Sequence, residues 1–135
     1  MKTLSIAYTN HLNCQAKHTL SGTTLTTDAP LDNGGKGESF SPTDLVATAL
    51  AACTLTMMAK KAESMGIPYN HPHIEAEKIM QTEPRRIGEI ILNIHFSDTY
   101  DEKTRRILEA TAHACPVAQS LHPDLKQTLH FHYPI

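Results

Sequence analysis

A chain of 135 residues with 12 Lys and Arg against 14 Asp and Glu, a net charge of −2, has the size of one domain and needs neither a metal nor a disulfide to fold. That balance gives no electrostatic claim on nucleic acid or an anionic membrane, and 5% aromatics with no Trp leaves no stacking platform for single strands. Cys14, Cys53 and Cys115 are too few and too scattered for a secreted disulfide scaffold, and the N-terminus has no continuous apolar core like a signal peptide's, so a reducing, cytoplasmic setting is expected.

Taken in order, Leu4, Ile6 and Tyr8 alternate with Ser5, Ala7 and Thr9, which predicts a strand. A second run over Cys14–Leu20 passes through Ser21-Gly22 into a third over Thr23–Thr27, a hairpin pattern. Asp32-Asn33-Gly34-Gly35-Lys36-Gly37 is a loop. Ser41-Pro42-Thr43-Asp44 then supplies a capping hydroxyl, a proline at the first helical position and an acid three residues after the cap. The helix it opens runs to Met65, where Gly66 and Pro68 stop it, for a length of about 36 Å.

From Leu45 to Ala59 that helix is apolar or small on every side, so burial all round is expected. The run is bounded by Asp44 and Lys60-Lys61 and falls short of the roughly 20 residues a membrane span needs. A chain of this size cannot easily surround such a helix. The economical cover is a second copy in a two-fold dimer. Beyond it, Ile74–Gln81 and Ile87–Phe96 read as strands joined by Thr82-Glu83-Pro84-Arg85-Arg86. A second helix is expected from a Thr99 cap, with Glu102 three residues on, toward Cys115; Pro116 ends it or begins a short turn. Gln127–Tyr133 closes the chain as a strand. The order βββ-α-ββ-α-β predicts a single α+β domain over residues 1–135, with its strands in hairpins rather than crossovers.

Cys53 falls in the middle of the long helix, sheltered from water and beyond the reach of the helix N-terminus. Burial alone raises a thiol pKa, so a working Cys53 needs a cation or hydrogen-bond donor from another segment; otherwise it is a packing residue. Cys115, at a helix end beside Pro116, can reach another element. The separation of the two rules out a local CxxC motif but permits a peroxidatic and a resolving cysteine, if their Cα atoms come within roughly 7 Å. Cys14, on an early strand, reads as a packing or exposed thiol.

The segment Gly34-Gly35-Lys36-Gly37-Glu38-Ser39-Phe40-Ser41-Pro42-Thr43-Asp44-Leu45, followed by Ala49-Leu50-Ala51-Ala52-Cys53, resembles the signature of the OsmC/Ohr family, the osmotically induced and organic-hydroperoxide-resistance peroxidases. Ala114-Cys115-Pro116-Val117-Ala118 is similar to its second cysteine segment, and length and element order agree over nearly the whole chain. The resemblance implies an intertwined homodimer with the cysteine helices central and active sites between subunits. It implies reduction of organic hydroperoxides with Cys53 as nucleophile and Cys115 as resolving cysteine, re-reduction by a lipoylated protein or small dithiol, and no metal, haem or flavin. The family places an arginine in an N-terminal strand and a glutamate just after the helix-start proline, both against the thiolate. Here no arginine precedes Arg85, and Thr43 follows Pro42. Lys17, His18, Arg85 and Arg86 are the candidate substitutes for the cation, with Glu38 or Asp44 to orient it.

Two other readings compete. In one, a dimer groove holds an apolar ligand and the cysteines only pack or sense redox state, which the missing arginine and glutamate favour. In the other, histidines bind a metal: His130 and His132 share a strand face and His71-Pro72-His73 adds a pair, yet no HExxH or CxxC frames a site and no metal is expected.

Overall fold

Period-two patterning in the first third produces the expected meander. The computed structural model describes residues 2–135, and their contacts form two units, one ending at Val46 and the other running Ala47–Ile135. In the first, β1 (Leu4–Asn10), β2 (Asn13–His18) and β3 (Thr24–Asp28) make an antiparallel sheet in that order. Leu4 pairs with His18 and Tyr8 with Cys14, and Asn13 with Asp28 across the next pair. The apolar row Leu4, Ile6 and Tyr8 is more than 60% exposed. After a single 3-10 turn at Leu31–Asn33, Gly35 lies so close to the Ala29 carbonyl that a Cβ would meet it at 1.7 Å, so only glycine fits.

The helix α1 (Pro42–Met65) starts in a reciprocal capping box. Asp44 N–H donates to Ser41 Oγ at 3.0 Å, and Ser41 N–H donates to Asp44 Oδ2 at 2.9 Å. It ends in a Schellman motif: Gly66 takes φ +65°, Ile67 N–H donates to Ala62 O, and Gly66 N–H donates to Glu63 O. Both ends were legible. Burial within one chain is partial. Within the chain α1 buries one stripe, Ala47, Leu50, Thr54, Met58 and Ala62, while Ala49, Ala52 and Thr56 are exposed. The physical reason is geometric: spacing of three and four residues lets only one face of a helix pack against the rest of its own chain. Its best 18-residue window has mean hydropathy 1.3, so by length and composition it could also cross a bilayer.

In the second unit, β4 (His73–Gln81) and β5 (Arg86–His95) form the expected hairpin, with a bulge at Ile79/Met80. The third strand, β6 (Lys126–His132), runs parallel to β5, so the expectation of hairpins alone fails here. The chain returns through α2 (Glu102–His113) and α3 (Pro116–Ser120), a crossover that parallel neighbours require. The N-cap of α2 is Asp101, whose Oδ1 accepts from Thr104 N–H at 2.8 Å, and not Thr99; a carboxylate is an equally good cap and sits directly before the helix. Ile90, Leu92 and Ile94 of β5 are fully buried, as is Leu108 of α2. The alternate β5 residues, Asn93 and His95, are half-buried on the other face.

Candidate active site

The second unit brings the two cysteines of the expected pair together. Cys53, half-buried on α1, lies close enough to the Cys115 thiol and the Val117 N–H for both to act on its ionisation. Both thiols are free, and Cys115 is fully buried. Cys115 is the N-cap of α3: Pro116 holds the first helical position and the Cys115 sulfur accepts from Ala118 N–H at 3.4 Å. The first turn of α3 thus donates the Ala118 N–H to the Cys115 sulfur and brings the Val117 amide near Cys53. Thr54, the next residue on α1 and fully buried, places Oγ1 3.9 Å from Cys115 Sγ. Its hydroxyl proton goes to Leu50 O at 2.8 Å, which leaves an oxygen lone pair facing the Cys115 S–H.

Burial pushes the Cys53 thiol above its ordinary value of 9.0; the Val117 amide opposes this, and the neighbouring Cys115 thiol adds to the rise. No cationic side chain of the second unit enters that balance. Arg85 is exposed in the β4–β5 turn, and Arg86, half-buried, opens β5. The other candidates lie in the first unit. Lys17 and His18 are exposed at the end of β2, and His18 Nδ1 bonds Ser21 Oγ at 2.7 Å. Asp44 caps α1, and Glu38, exposed, donates its backbone N–H to Asp28 Oδ2. Glu38 and Asp44 line one shallow depression of about 410 Å³ with Gly37, Ser39 and Phe40. Cys14 pairs with Tyr8 and Thr27 in its sheet, half-buried.

Sequence reasoning missed Thr54 and the amides of Val117 and Ala118. The amides had a signal, since a proline directly after Cys115 marks a helix start with the cysteine as cap. Thr54 had none beyond its place next to Cys53, because which face of α1 meets Cys115 is a matter of packing.

Residues 35–130 match the family model for OsmC-like proteins. A Psychrobacter arcticus 273-4 crystal structure, provisionally described as an osmotic stress induced and detoxification response protein, is 45% identical over 98% of this chain and 96% of its own, with a TM-score of 0.95. The organic hydroperoxide resistance protein OsmC of Legionella pneumophila shares the fold at 20% identity, 98% coverage of both chains and a TM-score of 0.78. An organic hydroperoxide resistance protein from Elizabethkingia anophelis does so at 16% identity, 99% and 98% coverage, and a TM-score of 0.77. No curated protein matches.

Proposed function

This chain belongs to the OsmC-like protein family, and from that premise we propose that it is a thiol-dependent peroxidase that reduces organic hydroperoxides. The observation that carries the reading is the proximity of the Cys53 and Cys115 thiols beside the first turn of α3, whose Ala118 N–H donates to the Cys115 sulfur. Relatives of the same fold are described as hydroperoxide resistance proteins.

In the proposed cycle the Cys53 thiolate attacks the distal peroxide oxygen. The O–O bond breaks, the alkoxide takes a proton and leaves as an alcohol, and Cys53 becomes a sulfenic acid. The Cys115 sulfur then attacks the Cys53 sulfur; its proton and the sulfenic hydroxyl leave as water, and a disulfide forms. An external dithiol, free or lipoyl, gives up two electrons and two protons to restore both thiols. The acceptor-poor, apolar surroundings on α1 favour an organic peroxide over hydrogen peroxide. No metal, haem or flavin takes part in this cycle. The elevated Cys53 pKa means that the ionised form needs a positive charge from elsewhere. Lys17, His18, Arg85 and Arg86 are its candidate sources, and the working form in this proposal is a cytoplasmic homodimer that also covers the exposed sides of α1.

Stopped-flow mixing of the reduced protein with cumene hydroperoxide tests the reading. Rapid loss of the Cys53 thiol with one equivalent of alcohol is expected, together with no turnover in Cys53→Ser. Undiminished turnover in that variant would remove the peroxidase.

The elevated thiol pKa itself favours a second reading, a non-catalytic dimer whose groove holds an apolar ligand. Iodoacetamide kinetics separate the two. A Cys53 alkylation midpoint below 9.0 supports the peroxidase, and one above it supports the ligand-binding module.

A further inference from the structure

We infer that the solvent-facing side of the second sheet carries a zinc-type metal site formed by His73, Glu75 and His95. Strand register assembles it. His73 is opposite His95 on β4 and β5, and His95 is opposite His132 on β5 and β6, so three imidazoles occupy one rung. Their rings stack at centroid distances of 4.8 and 4.7 Å, each pair within 14° of parallel. Glu75, two residues after His73, shares its face of β4 and sits in the next rung opposite Asn93.

The ligand atoms of His73, Glu75 and His95 all lie within 4.8 Å of one another. A second observation points to a missing electrophile. His95 Nε2 is buried, yet no group among the described residues meets it in hydrogen-bond geometry. Glu75 Oε1 lies 3.1 Å away, an ion-pair distance with no hydrogen bond formed. Buried polar atoms of this kind are nearly always satisfied, and an unsatisfied one calls for an ion or water. A cation between Nε2 and the carboxylate would meet both at once.

The donor set selects the metal class. Two imidazoles and one carboxylate suit zinc and its first-row neighbours, and leave a fourth position for water. Bonds of about 2.0–2.1 Å in a tetrahedron place ligand atoms about 3.4 Å apart, so the widest gap must close by about 1.4 Å. Side-chain rotation can supply this, because His73 is exposed and the Glu75 side chain is 75% exposed. His132 Nε2 is held by Asn93 Oδ1 at 3.0 Å, which leaves its ring as a wall against His95 and not as a ligand. The site is separate from the cysteine pair and stands whether or not the chain is a peroxidase.

Equilibrium dialysis of the chelator-stripped full chain against Zn²⁺, followed by metal analysis, is the test. One zinc per chain is expected, with at least a tenfold loss of affinity in His95→Ala and in Glu75→Gln and no change in His113→Ala or Cys53→Ser. Glu75→Gln alters one exposed group and keeps the test valid should His95→Ala fail to fold. With Co²⁺ in place of Zn²⁺, a visible ligand-field band without thiolate charge transfer is expected. No uptake, unaltered affinity in both site variants, or loss of binding on Cys53→Ser would overturn the assignment.

Discussion

Replacing Cys115 separates its structural role from its chemical one. The sulfur caps α3 through the Ala118 N–H at 3.4 Å and is wholly buried. A thiol is a weak acceptor, so the cap contributes at the low end of its class, about 0.5 kcal/mol. Removing the sulfur from a closed site costs about 1 kcal/mol more. Cys115→Ala should therefore lose roughly 1.5 kcal/mol, a fall in Tm of roughly 5 °C. Cys115→Ser keeps a capping oxygen, a better acceptor, and should stay within about 1 kcal/mol of wild type. Both variants should react once with cumene hydroperoxide and then stall, with a dimedone-reactive sulfenic acid on Cys53 and no intramolecular disulfide by mass spectrometry. Multiple turnovers at the wild-type rate with a small dithiol would refute the resolving role. An unchanged Tm in Cys115→Ala would refute the capping argument independently.

Two further outcomes follow from the same geometry. Ser41→Ala breaks the capping box of α1, which should cost about 1 kcal/mol in chemical denaturation. Burial pushes the Tyr100 phenol up from 10.0 to about 12, with the Asp98 carboxylate adding to the rise. A raised pKa favours the protonated folded form, so this stabilisation is complete below pH 10 and is lost as the pH climbs through about 12. Phenolate absorbance should therefore show a step near 12 that disappears in Tyr100→Phe; a tyrosine that titrates at its ordinary value in that position would contradict the burial.

Local chemistry alone determined much of this protein. The ends of α1 are written in Ser41, Pro42, Asp44 and Gly66, because capping and stopping use only neighbours in sequence. The alternation of β1 and of β4–β5 is equally local, and the two cysteine segments carried the family resemblance. Tertiary structure decided the rest. The parallel placement of β6 against β5 depends on how α2 packs back on the sheet, which no window of sequence encodes. So does the choice of Thr54 as the neighbour of Cys115. The sheet face where His73, Glu75 and His95 meet is the clearest case. Residues 73 and 75 share a strand, but His95 reaches them only through the β4–β5 register, and the unsatisfied nitrogen arises only once that register is closed. Pairing across strands is a long-range property, and composition and spacing have no means to report it.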